Sequence, residues 1–191
     1  APVQALLKKA SALDIAVICP LHGPVLKENL GYYLEKYAIW SSYRPEEEGI
    51  LIACASIHGH TKKAAEKLEE LLKARGANVE FIDLTRTDLS RAVEAAFRYS
   101  KLVLAASTYD GGVFPPMEDF LHHLSAKALQ NRKVALMENG SWAPLALKTM
   151  KGILEKMKNL SFCENSITIK SAMNEENIRQ MEQLAEELLK D

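Results

Sequence analysis

The sequence predicts an α/β fold built on a doubly wound, five-stranded parallel sheet of order 2-1-3-4-5. Three observations carry this expectation. From Gly49 onward, short apolar runs alternate with amphipathic helical stretches, the signature of βαβ units. The first run, Ile50 to Ala55, is apolar at nearly every position, as a central strand covered on both faces requires. Right-handed crossovers applied to such units leave few topologies, and this order is one of the two common ones.

The elements follow in order. Val3, Leu6, Leu7 and Ala10 recur at helical spacing, and Ile15 to Ile18 read as a small buried strand. Leu30, Tyr33, Leu34, Tyr37 and Trp40 mark a second amphipathic helix, and Pro45 with the acidic run Glu46 to Glu48 reads as a linker. Residues 1–47 are thus a helical appendage and residues 48–191 the sheet domain. After the first strand, Thr61 to Arg75 is a helix with Ala64, Ala65, Leu68, Leu71 and Leu72 on one side, ended by Gly76. Val79 to Leu84 is the second strand. Asp88 and Ser90 open a helix carrying Val93, Ala96 and Phe97. Leu102 to Ala106 is the third strand, and a helix from Pro116 through Leu124 leads to the fourth, Lys133 to Met137. A helix over Ala143 to Lys158, a strand over Ser166 to Ile169 and a final helix facing Ile178, Met181, Leu184, Ala185 and Leu188 inward complete the pattern.

Composition narrows the function classes. A chain of 191 residues holds one well-packed core plus a small appendage. With 24 Lys and Arg against 25 Asp and Glu, there is no electrostatic case for a nucleic-acid or anionic-membrane surface. No run is long and apolar enough for a bilayer span. Cys19, Cys54 and Cys163 are few, widely spaced and set among apolar neighbours, which suits buried thiols in a reducing, cytoplasmic setting. The opening at Ala1, already in helical pattern, suggests a piece of a longer polypeptide.

A sheet of this order places its ligand at the carboxyl ends of strands one and three, where the sequence is most unusual. The first loop, Ser56-Ile57-His58-Gly59-His60-Thr61, joins a buried strand to a helix N-terminus, where free N–H groups and the dipole favour an anion. It lacks both G-x-G-x-x-G and the Gly-Lys-Ser/Thr end of a P-loop, so a monophosphate fits better than a dinucleotide or triphosphate. The plainer reading is an ordinary turn with Thr61 as N-cap. The second loop, Ser107-Thr108-Tyr109-Asp110-Gly111-Gly112, combines a tight turn with an aromatic face suited to stacking on a planar ring. The third, Asn139-Gly140-Ser141-Trp142, follows Glu138 and again joins small polar residues to a large aromatic, which in such loops more often packs than meets a ligand. Their coincidence on neighbouring strand ends says more than any one alone.

In this order and spacing, the loops resemble those of the flavodoxin-like FMN domain of flavodiiron proteins, also called A-type flavoproteins. Ser56 to Thr61 matches Ser-x-x-Gly-x-Thr, Thr108 to Pro116 matches Thr-Tyr-x-Gly-Gly followed by Phe/Pro-Pro, and Asn139 to Trp142 matches a loop carrying Gly and Trp. Upstream, Cys19-Pro20-Leu21-His22-Gly23-Pro24 is similar to the Pro-x-His-Gly-Pro segment near the end of that family's metallo-β-lactamase-like domain. The resemblance implies a flavodoxin-like FMN domain, residues 48–191, behind the remnant of a metallo-β-lactamase-like domain, residues 1–47. It implies that the loop residues named above bind FMN. Electrons would arrive from a rubredoxin-like or NAD(P)H-linked donor and pass to a diiron centre that reduces oxygen or nitric oxide, across a head-to-tail homodimer. His22 matches a diiron ligand of the family, but the family's His-x-Glu-x-Asp-His motif is absent from this sequence, so no bound metal is expected here. His58, His60 and Glu138 depart from the family's commoner residues, and an inward Glu138 carboxylate would lower the flavin potential. His122 and His123 read as surface or interface residues on a helix. Two other readings compete: a self-sufficient flavodoxin-fold NAD(P)H-dependent quinone or flavin reductase, and a non-catalytic dimerisation module with a degenerate flavin pocket.

Overall fold

In the computed structural model, which describes residues 2–190, the first apolar run is the heart of β1 (Glu47–Ala55), buried throughout from Ile50 to Ala55. β1 lies parallel to β2 (Val79–Asp83) on one side and β3 (Tyr99–Tyr109) on the other, and β3 pairs in parallel with β5 (Arg132–Asn139). Beyond β5 the last position is shared by two short parallel strands, β6 (Leu160–Phe162) and β7 (Ile167–Ile169). The path β2-β1-β3-β5-β6 is the expected order, with the fifth strand divided. The break has a visible cause: the Glu187 carboxylate accepts the backbone N–H groups of Glu164 and Asn165 at 2.6 and 3.1 Å, drawing them off the sheet.

Alternate residues of the central strands serve opposite faces, as the two-residue period of a strand requires. Leu51, Ala53, Leu102, Leu104, Val134 and Leu136 pack under α4 (Leu89–Arg98), α5 (Pro115–Ala126) and α6 (Ala146–Leu154). Ile50, Ile52, Val103, Ala105, Ala135 and Met137 pack under α3 (His60–Ala74) and α7 (Glu175–Leu189). Helix ends follow local chemistry. Asp88 caps α4 by accepting the Ser90 N–H at 2.8 Å, and Asn174 and Asn177 close a capping box on α7. Gly76, at φ 83°, ends α3 in the left-handed region that glycine tolerates.

Several expectations need correction. Ile15 to Ile18 form no buried strand: none of the four is buried, and Ile18 alone makes an isolated antiparallel bridge, to Leu26. Glu47 and Glu48 belong to β1 rather than to a linker, since the Glu46 N–H already bonds the Arg98 carbonyl at 2.8 Å and carries the chain into the sheet. The sixth helix is shorter than its apolar pattern, starting after Pro144 at Ala146 and ending at Leu154. α1 (Pro2–Ala10) and α2 (Leu30–Ser41) contain no buried residue, and Gln4 ties them together through the Ala38 carbonyl at 3.0 Å and the Ser41 hydroxyl at 2.6 Å.

The thiols also differ from expectation: Cys54 is buried and Cys163 half-buried, but Cys19 is exposed. Burial pushes the Cys54 thiol up to about 12 and, with Glu187 nearby, that of Cys163 up to about 11. Since the thiolate is the nucleophile, iodoacetamide at about pH 8 is expected to alkylate Cys19 alone in the folded protein. Mass spectrometry should count one adduct, and rapid modification of Cys54 would contradict the packing described.

Candidate cofactor site

The carboxyl ends of β1, β3, β5 and β7 surround a cleft of about 220 Å³. Ser56, Ile57, His58, His60 and Thr61 line it from the loop leading into α3; Ser107 and Thr108 line it from β3; Asn139, Gly140 and Ser141 line it from the end of β5. All three predicted loops therefore meet in one place. Ser171, which sequence reasoning missed, also lines the cleft. Its signal was available, because it is a small polar residue just past the last strand of the sheet.

The loop into α3 is shaped by Gly59, the N-cap, at φ 86° and ψ −13°. Space is open where a Cβ would sit, so the left-handed backbone rather than crowding selects glycine here. The Gly59 N–H donates to Ser56 Oγ at 3.0 Å, and the first N–H groups of α3, from His60 to Lys62, have no partner within the helix. Thr61 is not the N-cap of the plainer reading. It is 1% exposed, with Oγ1 2.9 Å from Ser107 Oγ. One hydroxyl donates to the other, which leaves one hydroxyl hydrogen of the pair without an acceptor among the described residues. The Ser56 hydroxyl, an acceptor from Gly59, likewise donates to no described group.

The second loop is a β-hairpin, which sequence reasoning read only as a tight turn. β3 continues to Tyr109 and turns at Asp110 and Gly111 (φ 47° and 71°) into β4 (Gly112–Val113), with Tyr109 opposite Gly112. Asp-Gly with both φ positive is the two-residue turn that matches strand twist, so the signal was present. Asp110, Gly111 and Gly112 shape this turn and lie outside the cleft lining. Tyr109, half exposed with its ring 5.9 Å from that of Phe114, also lies outside the lining. Trp142 is 98% exposed and likewise outside it, neither packed in the core nor part of the cleft wall.

Two side chains anchor the third loop. Thr108 Oγ1 accepts the Leu145 and Ala146 N–H groups at 3.0 and 3.2 Å. Glu138 is buried, accepting the Leu147 N–H at 2.9 Å on one oxygen and the Thr168 hydroxyl at 2.9 Å on the other. Its carboxylate thus caps the N-terminus of α6, where the dipole favours a negative charge, and is not aimed at the ligand edge. Asn139 holds Ser171 in place by donating to its carbonyl at 2.9 Å and accepting its N–H at 3.1 Å. A Cβ on Gly140 would fall 2.9 Å from Pro144 Cα and 3.0 Å from Thr108 Oγ1, so only glycine fits.

At the edge of the site, Lys62 pairs with Asp83 at 3.0 Å. Burial pulls the Asp83 carboxyl up, but hydrogen bonds from Thr85 and Lys62 outweigh it and hold the group below its ordinary range. His22 is exposed in the segment before α2, and among the described residues no three His, Cys, Asp or Glu side chains converge as a metal site would need. His122 and His123 are exposed on α5, 4.0 Å from Glu118 and 3.3 Å from Asp119. No helix among the described residues is long and apolar enough to cross a membrane.

Residues 51–189 match the flavodoxin domain family. An uncharacterized protein of Methanocaldococcus jannaschii is 27% identical over 177 residues, covering 91% of this chain and 44% of its own length. The nitric oxide reductase of Moorella thermoacetica is 21% identical over 92% of this chain and 44% of its own. Among solved structures, the rubredoxin oxygen:oxidoreductase of Desulfovibrio gigas aligns with a TM-score of 0.88 at 17% identity, over 97% of this chain and 47% of that one. The flavodiiron protein of Giardia intestinalis aligns with a TM-score of 0.86 at 18% identity, over 98% and 47%. The chain spans less than half the length of these proteins. Its fold is shared with flavodiiron proteins, and the chain belongs to the flavodoxin domain family.

Proposed function

We propose that this chain binds FMN in the cleft described above and serves as the electron-relay domain of a flavodiiron-type oxidoreductase that reduces oxygen or nitric oxide. The observation that carries the reading is the set of unused donors at one spot. Hydroxyl hydrogens from Ser56 and from the Thr61–Ser107 pair stand without acceptors beside the free N–H groups of α3. Such a cradle suits a phosphate. The exposed rings of Tyr109 and Trp142, each adjacent in sequence to a lining residue, offer apolar faces for a planar ring system. When bound, FMN would supply the capacity to take and release one or two electrons. The protein's part is to fix the phosphate end with hydroxyls and amides and to keep Glu138 occupied by α6, away from the flavin.

Residues 1–47 are proposed to be the end of a metallo-β-lactamase-like domain. α1 and α2 bury none of their residues, and Leu6, Leu13, Leu21 and Tyr37 lie exposed, as expected of an element whose apolar surface meets another part of a longer protein. The residues present do not fit a diiron centre, so oxygen or nitric oxide chemistry would need ligands from outside this chain. A rubredoxin-like or NAD(P)H-linked donor, a head-to-tail homodimer and a cytoplasmic setting complete the proposal. The test is optical. Titrating FMN into the purified protein should give a one-to-one complex with a shifted flavin absorption band and quenched fluorescence, and a protein that leaves the FMN spectrum unchanged would defeat the reading. Steady oxidation of NAD(P)H by the protein alone would instead favour a self-sufficient reductase.

A further inference from the structure

His58 and His60 are the ionisable side chains of the cleft. Both are exposed, and both line it beside Ser56 and Thr61. The walls from β3, from the end of β5 and from the loop after β7 contribute only hydroxyl, amide and backbone groups. Among the described residues no Lys or Arg lines it. The neighbouring charges are engaged or lie outside: Lys62 pairs with Asp83, Glu138 caps α6, and Lys63, Asp110 and Lys170 are not part of the lining.

This leaves an unbalanced charge. A phosphomonoester near neutral pH carries about −1.5 to −2, whereas a helix N-terminus offers the equivalent of about half a positive charge. Hydroxyls add hydrogen bonds but no net charge. Of the side chains that line the cleft, only the imidazoles can carry positive charge, and an imidazole in solution titrates at about pH 6.5, close to the second phosphate ionisation at about pH 6.

We propose that His58 and His60 form a titratable counter-charge for the phosphate of a bound flavin, so that the site's preference for FMN over unphosphorylated riboflavin is greatest just below neutrality. The proposal rests on the FMN reading and adds its regulation. With the imidazoles uncharged, the phosphate is held by N–H and O–H groups alone. Where imidazolium and phosphate dianion coexist, they stabilise each other. At lower pH the phosphate loses one charge and the preference falls again.

The experiment compares the Kd of FMN with that of riboflavin, both read by flavin fluorescence, from about pH 5 to 8.5. In the wild type the ratio of riboflavin Kd to FMN Kd is expected to rise about tenfold from pH 8.5 to about 6.3. In the double variant His58→Asn, His60→Asn it should not rise, with circular dichroism confirming an unchanged fold. The single variants should each lose part of the rise and serve if the double variant does not fold. A flat wild-type ratio, or a rise that survives removal of both imidazoles, overturns the proposal while leaving FMN binding intact. Failure of FMN to bind at any pH overturns both.

Discussion

Arg132→Met should lower the stability of the protein by about 3 kcal/mol or more, which for a chain of this size is a fall in Tm of roughly 6–12 °C. Arg132 is 2% exposed, and among the described residues no carboxylate pairs with it. Its guanidinium instead donates to five carbonyls: Ala96 at 3.2 Å, Phe97 at 2.7 Å, Tyr43 at 2.9 Å, Gln130 at 2.9 Å and Asn131 at 3.1 Å. Desolvation pulls its pKa down to about 10, so burial of the charge is costly and the carbonyls must offset it. Two of them end α4, where the dipole is negative, and the fork of five N–H donors on three nitrogens reaches all five carbonyls at once. A methionine of similar length fills the space but leaves the Ala96 and Phe97 carbonyls without this donor. Lysine offers one ammonium and should recover under half of the loss. Urea unfolding checks the expectation, and a loss below about 1 kcal/mol would refute the account.

The same side chain governs how the appendage joins the sheet. Tyr43 sits in the left-handed region at φ 59°, and its carbonyl is held by Arg132 and, at 3.4 Å, by Asn131 Nδ2. Just beyond, Glu46 takes Lys36 and Trp40 as side-chain partners. The junction is therefore pinned from both sides. Limited proteolysis of the Arg132→Met variant should open new cuts between α2 and β1.

Thr61→Val should weaken FMN binding by about 10- to 100-fold while leaving riboflavin binding within about twofold. Valine matches threonine in shape, so the change removes the hydroxyl and little else. It deletes one partner of the Thr61–Ser107 pair and, with it, a donor for a charged phosphate oxygen, an interaction worth about 1.5–3 kcal/mol. Ser107→Ala should cost less than the sum when combined with Thr61→Val, since the two hydroxyls act as one donor unit. Kd values from fluorescence quenching provide the check. An FMN affinity unchanged by Thr61→Val would mean that the phosphate does not meet this pair.

Most of the architecture was legible because it follows from short-range rules. The unbroken apolar run Ile50–Ala55 could only be a strand covered on both faces, and Asp88 ahead of Ser90 could cap a helix wherever that helix lay. That the three loops would meet at one edge was likewise readable, since strand order dictates which loops share an edge. The Asp110-Gly111 hairpin was readable too and was missed by attending to the glycines as a pair. By contrast, Ile15–Ile18 looked like a strand from its own residues, and nothing local revealed that its pairing would stop at the single bridge from Ile18 to Leu26.

What the chain of residues settled unaided was the central strands and their helices, the order of the sheet and the placement of the candidate site. Those depend on periodicity, turn chemistry and crossover handedness, all written within a few neighbouring residues. The direction of individual polar side chains was settled only in three dimensions. Glu138 turned to the N-terminus of α6, Thr61 to Ser107 and Arg132 to five carbonyls from distant parts of the chain. A buried polar group goes wherever a partner remains to be satisfied, and which partners remain is known only after the elements have packed.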